Sequence, residues 1–161
     1  MAAREFSLTF ETTPAAAVRP NLPFTIPVIV AVRPIGTPKN VQHLVVNASL
    51  RDEAGTSPAV GLTGSLTASV TSRAGTATSG YAKFTTLAIS QPGKYRLRVM
   101  LGAATVNGVV TKEFVDSGVI HVHAAAPAAQ RPTPAQVETL RQLTTENLDI
   151  SAADITAWQS V

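Results

Sequence analysis

The sequence predicts an all-β protein, an immunoglobulin-like antiparallel β-sandwich with a short C-terminal helical tail. The main observation is a series of about seven short segments, spaced about 8–15 residues apart, in which apolar and polar residues alternate. Turn-forming residues separate these segments, and none of them shows a helical period. After residue 126 the pattern becomes helical. We therefore divide the chain into a β-sandwich domain, residues 1–126, and a linker with a C-terminal helical segment, residues 127–161.

The first three predicted strands come from the N-terminal third of the chain. Residues 6–11 (FSLTFE) alternate strictly, which is typical of a half-buried strand. Residues 24–34 (FTIPVIVAVRP) are strongly apolar and β-branched, so we expect a buried strand. Pro27 indicates a sheet edge or a bulge near the beginning of that strand, because proline has no N–H group to donate. Residues 41–52 (VQHLVVNASLRD) alternate again.

The remaining strands follow at similar spacing. Residues 62–72 (LTGSLTASVTS) alternate weakly. Residues 81–90 (YAKFTTLAIS) and 94–101 (KYRLRVML) read as two strands joined at Pro92-Gly93, a pair that suits a tight turn. Residues 109–123 (VVTKEFVDSGVIHVH) read as the last part of the sheet, interrupted at DSG.

Two short helices are predicted in the tail. Thr133 suits the N-cap of the first helix, with Pro134 at the first helical position and Gln136 completing a capping box. Ser151 and Asp154 repeat this arrangement before the second helix. We expect the tail to dock on its own sandwich or on another subunit. The predicted contact residues are Leu140, Leu143, Ile155 and Trp158.

Composition limits the classes of function. Charged residues make up 14% of the 161 residues, against about 25% in an average soluble chain, so small polar residues must form much of the surface. The absence of cysteine excludes disulfide bonds, thiolate metal sites and a cysteine nucleophile. The N-terminus lacks the apolar run of a secretion signal, and the apolar residues 22–32 are too few to span a membrane. We expect an intracellular protein, in the nucleus or the cytoplasm.

A ladder of cations marks one predicted strand. Lys94, Arg96 and Arg98 alternate with apolar residues, so they project from one face about 7 Å apart. One interpretation is a solvated face whose cations oppose edge-to-edge association. The other is a contact with a polyanion, whose phosphates have a comparable spacing; Arg19 and Arg33 could extend such a surface. Because like charges repel, water, neighbouring acids or a polyanion must offset the ladder.

The sequence contains little that suggests catalysis. It has no G-x-S-x-G elbow, no Gly-rich phosphate loop and no H-E-x-x-H motif. His121 and His123 lie two apart on a predicted strand and could reach one metal ion, but Asp116 is the only acid near them. A solvated pair at the end of a strand explains them more simply. We predict no enzyme activity, no metal and no cofactor.

Residues 84–101 (FTTLAISQPGKYRLRVML) resemble a stretch of the fungal velvet-domain regulators, in which a Phe-x-x-Leu-x-Ile strand leads to a Gly-x-Tyr-Arg-Leu-Arg strand. The resemblance covers about residues 24–150 and is most specific over residues 84–99. Gly93-Lys94-Tyr95 also resembles the approach to the tyrosine corner of immunoglobulin-like sandwiches. The flanking segments that follow the order of the family are IPVIVAVRP, LVVNASLRDEAG, GVIHVH and PTPAQVETLRQLTTENLDI.

The resemblance implies a non-enzymatic regulatory protein. Velvet proteins have an immunoglobulin-like sandwich, form homo- or heterodimers, work in the nucleus and bind DNA. We therefore expect dimerisation or binding of a protein partner, with a DNA contact as a further expectation. The Arg-Arg segment of the family has no counterpart here except Arg19-Pro20, which favours partner binding over DNA. The alternative is a generic immunoglobulin-like structural or interaction module that binds no nucleic acid. Neither hypothesis involves a membrane or a small-molecule substrate.

Overall fold

A computed structural model describes residues 6–35, 43–70, 80–105, 108–145 and 150–160. Within these ranges the chain is mostly β, with two short helices near its C-terminus, and this part of the prediction is confirmed. The strands are β1 (Phe6–Thr12), β2 (Ala17–Val18), β3 (Val28–Pro34), β4 (His43–Asp52), β5 (Pro58–Ala59), β6 (Leu62–Thr63), β7 (Thr67–Ser69), β8 (Gly80–Phe84), β9 (Ala88–Ile89), β10 (Gly93–Thr105), β11 (Gly108–Asp116) and β12 (Ile120–Val122). The helices are α1 (Pro134–Leu143) and α2 (Ala152–Gln159).

Three antiparallel strands form sheet A, in the order β1-β3-β8. Of the two alternatives for the Pro27 strand, the edge position is wrong, because β3 is the central strand and Pro27 lies one residue before it. An irregularity does occur near the beginning of β3, where Phe10 pairs with Val30 but Thr12 with Ile29, and the extra residue belongs to β1. The buried Thr12 hydroxyl repairs the ladder there, since it donates to Pro27 O (2.7 Å) and accepts from Ile29 N (2.9 Å).

Seven strands form sheet B, with the central order β2-β12-β10-β4-β5 and with β11 and β7 paired to β10 and β4. The long strand β10 has β4 on one side, and β12 followed by β11 on the other. The short strand β2 runs parallel to β12, so sheet B is mixed and the prediction of purely antiparallel sheets is wrong for this pair.

The predicted interruption at DSG separates β11 from β12. Ser117 fills the gap in the ladder, because its N–H donates to Leu97 O (2.8 Å) and its hydroxyl oxygen accepts from Leu97 N (2.9 Å). The hydroxyl in turn donates to Gly118 O (2.7 Å). Ser117 is one of few buried polar residues, which fits a side chain that replaces backbone hydrogen bonds.

Two predicted strands are each broken in two. Residues 81–90 divide between β8 in sheet A and β9, which pairs with β6 in a separate two-stranded sheet. The break contains Thr86, whose φ of 59° is uncommon for a β-branched residue. Gly64 divides β6 from β7, and a Cβ atom at that position would lie 2.2 Å from Thr86 O. The two breaks therefore pack against each other, and this contact requires glycine at position 64.

The inner faces of sheets A and B contribute to one core. Side chains from β1, β3 and β8 share this cluster with side chains from β4, β10 and β12. The alternation predicted for β10 is confirmed, since Leu97, Val99 and Leu101 are all 0% exposed. Burial of apolar surface at about 25 cal/mol per Å² makes this cluster the main stabilising feature of the fold.

A second core joins the helices to the outer face of sheet A. Ile29 projects from β3 away from the main core and packs with side chains of both helices. The predicted capping boxes are present at both helices: Thr133 with Gln136, and Ser151 with Asp154. The tail thus docks on sheet A of its own chain, and β3 is buried on both faces. Within the described residues, α1 and α2 lack the length and apolar character needed to cross a membrane.

Candidate functional site

The outer face of sheet B carries the cation ladder. Because the apolar residues of β10 face the core, Lys94, Arg96 and Arg98 project outward, as predicted. Lys94 is exposed, whereas the two arginines are half-buried. Arg96 donates through Nε to Glu53 O (2.7 Å) and through Nη1 to Ser117 O (3.0 Å). Its guanidinium therefore ties the connection after β4 to the interruption between β11 and β12.

Arg98 binds an acid on the neighbouring strand. Its Nε and Nη2 atoms donate to the two carboxylate oxygens of Asp116 at 2.7 and 2.9 Å. The guanidinium also lies 4.1 Å from the ring centroid of Phe114, in a cation–π contact. Hydrogen bonding from Arg98 lowers the pKa of Asp116 below its ordinary value. Water, a neighbouring acid or a polyanion was expected to offset the positive charge of the ladder. For Arg98 the structure provides a neighbouring acid, Asp116.

The structure does not bring all five predicted polyanion contacts together. Arg33 is exposed on β3, and it therefore belongs to sheet A rather than sheet B. Arg19 follows β2 at the edge of sheet B, where its Nε donates to Ala126 O (2.6 Å). Of the predicted set, Lys94 and Arg19 are thus the exposed cations on sheet B.

Two histidines lie beside these cations. His121 of β12 pairs with Lys94 of β10 on one side and with Ala17 of β2 on the other. His121 is exposed and His123 half-buried, and their ring centroids are 4.3 Å apart. Among the described residues, no group of three or more His, Asp or Glu side chains could hold a metal ion. We call Arg19, Lys94, His121 and His123 the basic cluster.

An apolar patch occupies the other end of this face, and the sequence analysis did not identify it. Phe114 pairs with Met100 across β10 and β11, and it is 50% exposed. Val109 is 66% exposed. A Cβ atom at Gly102 would lie 3.0 Å from Val109 Cγ1 and 3.5 Å from Val45 Cγ2, so both valines lie over this glycine. The apolar patch comprises Val45, Met100, Val109 and Phe114. The apolar residues of VVTKEFVD were the signal, but the segment was assigned only to the last part of the sheet, with no face given to these side chains.

The four predicted interface residues lie in the second core instead of on an open surface. Leu140, Leu143 and Ile155 are 0, 4 and 2% exposed, so the chain itself covers them. Trp158 is half-buried and packs against the same cluster. It also lines a cavity of about 250 Å³ between α2 and sheet A, together with Phe24 and other residues.

The sequence matches no model of a known protein family. A search of curated proteins also finds no match.

Proposed function

We propose that the chain is an immunoglobulin-like sandwich of the velvet type and a non-enzymatic regulatory module that binds a second copy of itself or a protein partner. The strand orders support the fold. Strands β1, β3 and β8 correspond to the order A-B-E, and β4, β10 and β12 to the order C-F-G, of immunoglobulin domains. Among the described strand pairs, β2 and β12 run parallel and the others run antiparallel, as immunoglobulin strands do.

Tyr95 supports the same proposal. It lies near the start of β10, the strand that corresponds to F, and its hydroxyl donates to Pro92 O (3.2 Å). A tyrosine at this place that bonds back to the preceding backbone is a hallmark of many immunoglobulin-like sandwiches. These residues also belong to the segment that resembles the velvet regulators.

The observation that carries the functional proposal is the difference between the two outer faces. The helices cover the outer face of sheet A, and the second core includes no described residue of sheet B. The outer face of sheet B keeps Phe114 and Val109 half or more exposed. Contiguous exposed apolar residues of this kind mark interaction surfaces more often than isolated ones do. We therefore assign partner binding to the apolar patch.

The test compares the oligomeric state of matched variants. Size-exclusion chromatography with light scattering, over a wide range of concentration, should detect self-association of the wild-type protein. Phe114→Ser combined with Val109→Ser should abolish it without lowering the melting temperature. Val60→Ser is the control, because Val60 is 83% exposed but lies outside the apolar patch. A wild-type protein that stays monomeric at every concentration would remove the homodimer and favour the generic interaction module.

The predicted DNA contact remains a separate proposal. Arg96 and Arg98 are half-buried and bind groups of the chain itself, whereas Lys94 and Arg19 of the predicted set are exposed on sheet B. Arg19 Nε already donates to Ala126 O, so a ligand would bind the Nη atoms of Arg19. Binding of duplex DNA that weakens steeply with salt would support the contact. Absence of binding at low salt would remove it, without affecting the proposal for the apolar patch.

A further inference from the structure

The basic cluster joins four side chains from neighbouring segments of sheet B. Lys94 and His121 are cross-strand partners, so their side chains lie on one face about 5 Å apart at Cβ. His123 lies two residues further along the chain, and its ring is tilted by 37° against that of His121. The backbone N–H of His123 donates to Val18 O (3.0 Å), so Arg19 follows directly after the bonded residue on the neighbouring strand. Arg19 Nε donates to Ala126 O, three residues after His123.

No acid of these segments neutralises the cluster. The sequence has no Asp or Glu between Glu11 and Asp52, the stretch that contains β2 and Arg19. It has none between Glu53 and Glu113, which covers β10, and none between Asp116 and Glu138, which covers β12. One cation of this face does bind an acid further along β10, where Arg98 pairs with Asp116. The basic cluster therefore concentrates positive charge at one edge of sheet B.

Two of the four side chains of the basic cluster are histidines. Histidine side chains gain a proton between about pH 8 and pH 5. Two protonated rings at the observed separation repel each other, and Lys94 and Arg19 add to the repulsion. An anion placed between these groups removes that repulsion. By linkage, an anion that prefers the protonated pair binds more tightly as the pH falls.

We propose that Arg19, Lys94, His121 and His123 form a binding site for a phosphate group, and that this site tightens at acid pH. A guanidinium, an ammonium and two imidazoles lie on neighbouring segments at one edge of sheet B and are hydrogen-bond donors, and a phosphate offers several strong acceptor oxygens. The phosphate could belong to a small phosphorylated molecule or to the backbone of a nucleic acid. The site is independent of the apolar patch, which lies at the other end of the same face.

Inorganic pyrophosphate is the probe for the first experiment. Its binding is measured by calorimetry at pH 6 and pH 8 in low salt, and the imidazole resonances of both histidines are followed by NMR. We expect pyrophosphate to bind about tenfold more tightly at pH 6, equivalent to about 1.4 kcal/mol. Phosphate ligands lose charge as the pH falls, so such tightening must come from the protein.

Variants separate the proposed site from general attraction to a basic protein. His121→Gln with His123→Gln should remove the pH dependence, and Lys94→Gln should weaken binding at both pH values. Arg33→Gln is the control, because Arg33 is exposed on sheet A and should leave binding unchanged. The proposal is overturned if pyrophosphate does not bind at pH 6, or if the double histidine variant keeps the full pH dependence.

A short DNA duplex, tested in the same way, distinguishes the sources of the phosphate. Duplex binding that is stronger than pyrophosphate binding and that needs His121 and His123 would assign the site to a nucleic-acid backbone. Pyrophosphate binding without duplex binding would assign it to a small phosphorylated ligand. Both results support the phosphate site. Neither depends on Phe114, so the oligomeric state of the Phe114→Ser variant tests the proposed function separately.

Discussion

Arg98 and Asp116 face each other across β10 and β11, joined by hydrogen bonds of 2.7 and 2.9 Å from one guanidinium to one carboxylate. This pair shows how one member of a like-charged ladder is neutralised from the next strand. Arg98 Nη2 also lies 3.3 Å from Gly55 O, so the same side chain reaches the connection after β4. The pair is therefore a structural clamp, which leaves Lys94 as the exposed cation of the ladder.

Replacing Asp116 with Asn should destabilise the protein at neutral pH but not in acid. The lowered pKa of Asp116 means that the folded state favours the ionised carboxyl. Its contribution is present above the unfolded value near pH 4 and disappears as the pH falls through the lower folded value. We expect a loss of about 1 kcal/mol at pH 7, since partly exposed pairs are screened by solvent. Urea unfolding at pH 7 and near pH 2.5 measures the difference, with Glu138→Gln as the control. An equal loss at both pH values would contradict the argument.

Leu140→Ala should be among the most damaging single changes in the tail. Leu140 is 0% exposed in the second core, and removing a buried leucine side chain costs about 2–5 kcal/mol. Gln142→Ala, an exposed position on the same helix, should change stability by less than about 0.5 kcal/mol. Trp158, the single tryptophan, reports the second core by fluorescence while circular dichroism reports the sheets. If the tail unfolded before the sheets, the two signals would separate, and its role in the fold would be less than we infer.

Gly93→Ala should cost more stability than Tyr95→Phe. Gly93 has a φ of 149°, and an added Cβ would lie 3.0–3.3 Å from the hydroxyl and ring atoms of Tyr95. Alanine would therefore strain the backbone and displace the ring. Tyr95→Phe removes only the bond to Pro92 O, for which we expect about 0.5–1 kcal/mol. Thermal unfolding gives the melting temperatures of both variants and shows which loses more stability. A Gly93→Ala protein as stable as the wild type would exclude the packing of Tyr95 over this glycine.

Ser117→Ala should destabilise the protein although it removes a single oxygen atom. That oxygen accepts from Leu97 N within the core and donates to Gly118 O. Without it the buried N–H group of Leu97 has lost its partner, which costs about 1–3 kcal/mol. Ser65→Ala, at an exposed position between β6 and β7, should have little effect. Hydrogen exchange of the Leu97 amide gives a local reading: faster exchange in the Ser117→Ala protein is expected, and unchanged exchange would refute the role of the hydroxyl.

Alternation predicted the buried sides of the strands well, because one face of each long strand meets a core. Alternation could not predict that Arg98 pairs with Asp116. The register between β10 and β11 shifts between Leu101 and Gly102, and without that shift Arg98 would pair with Val115 instead of Asp116. A shift of this kind depends on how two strands pack in three dimensions, and no local pattern of residues reports it.

The break at Thr86 was missed for a related reason. Residues 81–90 are β-branched and apolar enough for one strand, yet Thr86 takes a left-handed conformation where the chain passes from sheet A to β9. Its contact with Gly64 is a tertiary one. Tertiary packing of this kind overrides β-propensity.

The surface was harder to predict than the core. The apolar residues of the tail predicted docking either on the rest of the chain or on another subunit, and Leu140 and Ile155 pack with Ile29 of the same chain. Phe114 was assigned to a strand without a face, and β11 has this side chain on the outer face of sheet B. Apolar character is readable in a sequence, whereas the question of which element covers it depends on topology.

The two-sided burial of β3 has a consequence during translation. Ile29 needs side chains such as Leu140 and Ile155 to shield its outward face, and the ribosome adds Leu140 more than a hundred residues later. At typical elongation rates that interval is about 5–20 s. During this interval the outer face of β3 stays an exposed apolar surface that chaperones can bind, and it is buried once α1 and α2 have been synthesised and have folded.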